Sequence, residues 1–145
     1  MRYIARGLAL AATTTLALVA APAVGSAGAA QSGAQSLYAP SALVLTVASG
    51  DAAASGTVQR AVTLSCAPTA TGTHPAPTAA CAELRANQGR FDAITTRDSS
   101  TLCTKQWDPV TVTADGVWNG ERVSYAHTFG NSCLQGSGSG TLFNF

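Results

Sequence analysis

Alternation of apolar and polar side chains marks the first strands of this chain. The run over 42–47 is apolar and β-branched, which predicts a strand that is buried on at least one face. The segment 60–66 alternates, with Val62, Leu64 and Cys66 on one face and small or polar residues on the other. Each segment is therefore expected to place an apolar side against a core.

A hairpin is predicted further along the chain. Two alternating runs, 110–113 and 123–129, flank the pairs Asp115-Gly116 and Asn119-Gly120, and Asn-Gly is the strongest short signal for a β-hairpin. The glycine- and serine-rich segment 136–140 is expected to form a flexible turn before a last short strand over 141–145. The pattern as a whole thus predicts about five strands.

Helical signals are few. Thr78 is a candidate cap for a short helix over 79–88, which Gly89 would end. The proline-containing segment 67–77 and the polar segment 92–108 are expected to be loops. Strands in hairpins with one or two helices predict an α+β domain built on an antiparallel sheet.

The first thirty residues have the composition of a secretory signal peptide. Arg2 and Arg6 give a basic start, 7–24 is almost wholly apolar, and 25–30 consists of small residues. Three threonines and a proline interrupt the apolar run, which disfavours a permanent membrane anchor. We expect residues 1–30 to be removed during export, so that the protein is secreted and extracellular.

The exported chain is close to neutral. Residues 31–36 are small and polar and are expected to form a flexible arm before a single domain over 37–145. Without the signal peptide, six basic and seven acidic side chains remain, which gives a net charge of −1. Nucleic acids and anionic membranes attract clustered positive charge, so neither is an expected partner.

The four cysteines predict disulfides rather than a metal site. No Cys-x-x-Cys pair is present, although zinc sites usually contain one. An even number of cysteines in an exported chain predicts two disulfides, for which three pairings are possible. No metal and no cofactor is expected. The cysteines are Cys66, Cys81, Cys103 and Cys133.

No catalytic residue can be assigned. The chain has no Gly-x-Ser-x-Gly nucleophile motif, no phosphate-binding glycine loop and no His-x-x-x-His metal pair. His74 lies in a proline-rich loop, and His127 lies on the apolar side of a predicted strand. A small secreted hydrolase therefore remains an alternative without a candidate site. The other alternative is a secreted, non-catalytic binding module whose partner is not a protease.

One loop has the features of a protease substrate held in a fixed shape. Lys105 is the only lysine of the chain. A disulfide at Cys103 would tether the loop, Thr104 is stiff because it is β-branched, and Pro109 favours an extended backbone at Asp108. An exposed, extended segment with a long basic side chain at its centre is what a trypsin-like protease binds.

Several blocks of sequence resemble one known family. LYAPSALVLTV at 37–47, RAVTLSCAP at 60–68, GTHP at 72–75, DPV at 108–110 and DGVWNGERVSY at 115–125 are similar to blocks of the Streptomyces subtilisin inhibitor family. The resemblance runs over 37–145 and places all four cysteines. It implies a five-stranded antiparallel sheet with two short helices, and the bridges Cys66–Cys81 and Cys103–Cys133.

The resemblance also implies a function. It implies a homodimeric inhibitor of serine proteases, trypsin-like and subtilisin-like, whose reactive bond joins Lys105 to Gln106. The best-known family member has Met and Val at that bond with Pro before it. Because Thr104, Lys105 and Gln106 occupy these positions here, the target preference is expected to shift towards trypsin-like enzymes. The residues expected to contact the protease are Leu102, Cys103, Thr104, Trp107 and Asp108.

Overall fold

A five-stranded antiparallel sheet organises the part of the chain that the computed structural model describes, residues 39–97 and 100–145. The predicted signal peptide and arm lie outside these residues. The strand order is β3-β2-β1-β4-β5, so that β1 and β4 are central. The strands are β1 (Ala42–Ser49), β2 (Thr57–Ser65), β3 (Thr71–Gly72), β4 (Val110–Trp118) and β5 (Glu121–Phe129).

Three helices accompany the sheet within the described residues, and their bounds are α1 (Pro77–Ala86), α2 (Asp92–Thr95) and α3 (Ser132–Gly138). The predicted fold class is confirmed: an α+β domain with five antiparallel strands, two short helices and two disulfides. The four-residue α2 is additional and falls in the segment 92–108, which was predicted to be a loop. None of the helices within the described ranges is long and apolar enough to cross a membrane.

The core lies between one face of the sheet and the helices. In β2, Val62 and Leu64 are buried whereas Ala61 and Thr63 are exposed, which confirms the predicted alternation. Leu84 of α1 is fully buried against this side of the sheet. The alternation of β2 therefore decides which face of the sheet the helices cover.

The hairpin prediction is confirmed. Antiparallel pairing of β4 with β5 runs from Val110 opposite Phe129 to Trp118 opposite Glu121. Only Asn119 and Gly120 connect the strands, and both have positive φ, at 49° and 85°. These values suit a two-residue hairpin turn, whose twist matches that of the strands.

The start of α1 differs from the prediction. Its N-cap is Ala76, without a side-chain hydrogen bond, and Thr78 is inside the helix instead of capping it. Pro77 occupies the first turn, where its missing N–H removes no helical hydrogen bond and its fixed φ suits the helix. The helix ends at Ala86, shortly before the predicted end at Gln88.

The prediction for the C-terminal segment was wrong. A seven-residue helix, α3, replaces most of the expected flexible turn, and 141–145 is not a strand. Instead of strand partners, side chains form hydrogen bonds with the backbone of 141–145. Leu142 N donates to Glu83 Oε2 at 2.9 Å, and Gln135 Nε2 donates to Phe143 O at 2.8 Å. The fifth strand of the sheet is the short β3.

Candidate functional site

The loop over 101–109 presents its side chains to solvent. It has no regular secondary structure and leads directly into β4. Leu102 is 99% exposed and Trp107 is 68% exposed. Thr104, Lys105, Gln106 and Asp108 are exposed as well, so these side chains are available to a partner.

A disulfide ties the loop to α3. Cys103 is bonded to Cys133, with 5.8 Å between the two Cα atoms. Cys133 lies in the first turn of α3, so the helix fixes the chain two residues before Lys105. The second bridge, Cys66–Cys81, joins the end of β2 to α1, and the structure thus contains both bridges that the family resemblance implies.

The side chain of Asn131 holds the backbone on both sides of the Lys105–Gln106 bond. Its Nδ2 donates to Thr104 O at 2.9 Å and to Gln106 O at 3.0 Å. Its Oδ1 accepts from Leu134 N at 3.0 Å, because Asn131 is also the N-cap of α3. The side chain is buried, at 6% exposure, and all of its hydrogen-bonding atoms are used in holding α3 and the loop together.

Gly130 supports the downstream half of the loop. Asp108 N donates to Gly130 O at 2.8 Å. A Cβ on Gly130 would lie 3.6 Å from two ring atoms of Trp107, so the indole packs closely over this glycine. The loop backbone is thus fixed at Cys103, at the two carbonyls bonded to Asn131 and at Asp108. The side chains of Leu102, Lys105 and Gln106 are left exposed.

The charge of Lys105 is not neutralised within the described residues. The one ion pair in 39–97 and 100–145 joins Arg97 to Glu83, at 3.0 Å. No group of three His, Cys, Asp or Glu side chains in these ranges is arranged to hold a metal ion. What the loop offers chemically is an exposed cation on a fixed backbone.

Neither histidine is placed to activate a nucleophile. His74 is buried, its Nδ1 accepts from Ala76 N at 3.0 Å, and its Nε2 donates to Leu142 O at 3.2 Å. Both ring nitrogens are therefore bonded to the backbone. His127 packs edge-on against Phe129, with the ring centroids 4.6 Å apart, as expected for the apolar side of β5.

The structure places every residue predicted to contact a protease on this one loop, and their contact with a protease stays a prediction. Sequence reasoning missed Asn131 and Gly130. A signal for Asn131 does exist, since Asn is a favoured N-cap residue and stands two positions before Cys133. The segment 136–140 that follows is rich in glycine and has no helical pattern, so the helix that Asn131 caps was not predicted.

Comparison with known proteins gives consistent matches. The subtilisin inhibitor-like family model matches residues 39–131. Trypsin inhibitor STI2 of Streptomyces longisporus is 55% identical, and Kexstatin-1 of Streptomyces platensis 53% identical, each over the full length of both chains. A crystal structure of Streptomyces caespitosus sermetstatin in complex with Bacillus licheniformis subtilisin matches with a TM-score of 0.68. It is 49% identical and covers 73% of this chain and 99% of that chain.

Proposed function

This chain belongs to the subtilisin inhibitor-like family, and on that premise we propose that it inhibits trypsin-like and subtilisin-like serine proteases through the reactive bond Lys105–Gln106. Relatives named as protease inhibitors support inhibition in general, and sermetstatin is bound to a subtilisin. The observation that carries the specific proposal is Asn131. Its amide bonds the carbonyls on either side of this one peptide bond.

Binding resembles substrate binding by a loop that needs no reorganisation. A flexible peptide loses conformational entropy when a protease orders it, whereas a loop already held in one shape loses little. Three separate elements of support hold this backbone: a disulfide, the Asn131 amide and the Asp108–Gly130 hydrogen bond. Protease–inhibitor pairs of ordinary interface size are among the tightest complexes known.

Slow release completes the mechanism. If the protease cuts the Lys105–Gln106 bond, Asn131 stays bonded to the residues on both sides of the cut. The new carboxylate and amine then remain close together, at a high effective concentration, so that resynthesis competes with release. The protease is occupied by a substrate whose products do not leave.

Lys105 determines the preferred protease. In a trypsin-like pocket its ammonium meets the carboxylate at the base. In a subtilisin-like pocket its aliphatic stem lies on apolar walls with the ammonium near solvent. The binding-module alternative has no supporting observation, since the matched relatives are named as protease inhibitors.

Replacing Lys105 tests the proposal. Lys105→Gly should weaken trypsin inhibition by about 1000-fold or more, since truncating an interface hot spot costs up to ~4–8 kcal/mol. Lys105→Met should shift inhibition towards subtilisin- or chymotrypsin-like enzymes. Arg122→Gln, at the far end of the hairpin, is the matched control and should inhibit trypsin like the wild type. Undiminished trypsin inhibition by Lys105→Gly, in a variant that unfolds like the wild type, would refute the assignment.

We further propose that two copies associate through the outer face of the sheet. This face, opposite the helices, consists mainly of small and uncharged side chains, with Val44 46% exposed, and Asp115 and Arg122 add charge at its hairpin end. A flat face of this kind is suited to pairing across a two-fold axis. The residues that define the outer face are Val44, Thr46, Ala61, Thr63, Thr113 and Ala126.

Hydroxyl groups on the outer face bond to one another, which supports this pairing. Thr46 and Thr113 are joined at 2.7 Å, and Thr63 and Thr73 at 3.3 Å. A hydroxyl that already has a partner loses less when water is removed than one that bonds only to water. The paired threonines of the outer face therefore lose little free energy on desolvation.

We also propose that the mature inhibitor, residues 37–145 behind a short arm, is extracellular and lacks residues 1–30. The basic, apolar and small-residue pattern of this segment supports export, and both disulfides suit an oxidising compartment. Mass spectrometry of the protein from culture medium tests this. An intact mass that includes Met1 would rule it out.

A further inference from the structure

A cavity of about 310 Å³ lies at the end of the sheet where β4 turns into β5. Its walls include Ser41 before β1, Arg85 of α1, and Trp118 and Asn119 of the hairpin. Eight residue steps along β4 separate Val110 from Trp118, or roughly 26 Å at about 3.3 Å per residue. The cavity is thus remote from the loop that carries Lys105, and no step of the proposed inhibition uses it.

Trp118 forms one wall of this cavity. The residue is 92% buried, its exposure being 8%. Its Nε1 is the one buried side-chain nitrogen or oxygen of the described residues that lacks a hydrogen-bond partner. This N–H lies against Gly89 and has almost no accessible surface, so the indole contributes other atoms to the cavity wall. Gly89 packs against the indole, where a Cβ would clash, and keeps the ring in place.

Asn119 brings a donor to this cavity. Its Oδ1 accepts from Ser41 Oγ at 3.3 Å, and its backbone N donates to the same hydroxyl at 2.9 Å. These bonds orient the amide, and Nδ2 has no hydrogen-bond partner within 39–97 and 100–145. Ser41 is buried, at 3% exposure, whereas Asn119 itself is exposed and accessible to a ligand.

Arg85 supplies the charge. Its Nη2 donates to Cys66 O at 2.6 Å, which holds the guanidinium at the cavity wall. No carboxylate of the described residues pairs with it, since the ion pair found there joins Arg97 to Glu83. The remaining guanidinium N–H groups are free to donate, and a guanidinium matches the planar geometry of a carboxylate.

We propose that this cavity binds a small carboxylate ligand. Its polar side chains offer N–H donors and one positive charge, and no acidic side chain lines it. The volume is that of the smaller ligand pockets, enough for an amino-acid-sized acid or the C-terminal end of a peptide. Asn119 and Arg85 would donate to the carboxylate oxygens, with the Trp118 ring beside the ligand.

Tryptophan fluorescence in a Trp107→Phe background tests the proposal, because Trp118 is then the only tryptophan. N-acetylglycine should change the emission saturably at millimolar concentration, and the neutral N-acetylglycinamide should not. Phosphate at matched ionic strength should act weakly. Equal responses to acid and amide, an equal response to phosphate, or no saturable response to the acid would each overturn the proposal. Calorimetric titration of the wild-type chain gives a second readout.

Asn119→Asp is the sharpest variant. It keeps an acceptor for Ser41 and a residue suited to the turn, but it replaces the Nδ2 donor by a negative charge. N-acetylglycine affinity should fall at least tenfold, and Arg85→Gln should have the same effect. Arg90→Gln, an exposed arginine outside the cavity, is the matched control and should bind like the wild type. Undiminished affinity in Asn119→Asp would contradict the site, whereas trypsin inhibition by this variant should be unchanged and reports on the reactive loop separately.

Discussion

At the scale of single residues, Asn131 divides its amide between two tasks. The oxygen caps α3, and the nitrogen holds the carbonyls of Thr104 and Gln106. The oxygen's bond to Leu134 N also fixes which end of the amide faces the loop. A substitution can therefore remove one task and leave the other.

Asn131→Asp separates the two tasks. Asp is as good an N-cap as Asn and suits the positive end of a helix, so α3 should persist. The loop loses two hydrogen bonds and gains a carboxylate facing two carbonyl oxygens. At ~0.5–1.5 kcal/mol for each bond, trypsin inhibition should weaken by about ten- to a hundredfold. Cleavage at Lys105–Gln106 should accelerate, as followed by mass spectrometry over time.

The control for this variant is Asn131→Ala, which loses the cap as well. It should lower the free energy of unfolding by a further ~1 kcal/mol relative to Asn131→Asp. Equal inhibition by Asn131→Asp and the wild type would show that the loop keeps its shape without this side chain.

The sequence reveals Lys105 but not Asn131, and the reason is physical. Lys105 is the single lysine and stands two residues after a cysteine, both of which are local features. The role of Asn131 depends on how α3 returns beneath a loop 25 to 27 positions earlier in the chain. A contact between residues this far apart in the chain leaves no local sequence pattern from which it could be predicted.

At the scale of elements, periodic strands were predictable and the C-terminal helix was not. The alternation in β2 and β5 leaves one buried side, and β1 was predictable as an apolar, β-branched run, whereas the first five residues of β4 are buried on both faces of the sheet. In α3 two interior or terminal glycines each disfavour a helix by ~1 kcal/mol. Tertiary contacts override this preference: a Cβ on Gly138 would lie 3.3 Å from the Phe129 ring, and Asn131 caps the first turn.

The two disulfides are expected to differ in what they protect. Replacing both cysteines of Cys103–Cys133 by serine should cost ~3–4 kcal/mol of unfolding free energy, for a sequence separation of 30. It should also free the loop, so that trypsin cuts the 105–106 bond faster and digestion follows. The time course of cleavage measures this effect.

The Cys66–Cys81 bridge provides the matched control. Its sequence separation is 15, and its loss should cost ~3 kcal/mol. Since it joins β2 to α1, the cleavage rate at 105–106 should stay near the wild-type rate under conditions where the variant is folded. Equal cleavage rates in all three proteins would remove the bridge from the proposed mechanism.

The contact between α2 and β5 gives the fold a pH dependence at alkaline pH. Burial raises the pKa of the Tyr125 phenol above its usual value near 10, and Thr95 and Tyr125 share a hydrogen bond. A phenol with a raised pKa in the folded state stabilises the fold fully below the pKa of the unfolded chain. This stabilisation is lost as the pH rises through the folded pKa.

Tyr125→Phe should reveal this dependence. At neutral pH the variant should be less stable by ~1 kcal/mol, because the hydrogen bond to Thr95 is lost. Above about pH 10 the difference should shrink, since only the wild type has a phenol to ionise there. Denaturant unfolding at several pH values measures it. A difference that does not vary with pH would show that Tyr125 is not the responsible group.

At the scale of the whole molecule, the three surfaces that we assign to partners are distinct. The reactive loop precedes the start of β4, the carboxylate cavity lies at its other end, and the outer face covers the side of the sheet opposite the core. No residue of the loop belongs to the outer face. Each protomer of a dimer can therefore bind a protease.

Light scattering at micromolar concentration should give twice the protomer mass for the mature protein. Ala61→Lys should shift the mass towards the monomer, because each copy would bury an unpaired ammonium group in the interface. Ala82→Lys, an equally simple change on the exposed side of α1, should leave the dimer intact. A monomer mass for the wild type would reject the dimer without affecting inhibition through Lys105.

The contacts that shape the reactive loop have a consequence for how such a molecule can change over generations. Asn131 and Gly130 bond to backbone atoms, and the disulfide engages Cys103, so none of these contacts reads the side chain at position 105 or 106. The residues that hold the loop backbone are therefore different from the residues that determine which protease binds, and each set can mutate without the other. During evolution, single substitutions at positions 105 and 106 can therefore adapt the loop to a changed protease while the contacts that hold its backbone stay the same.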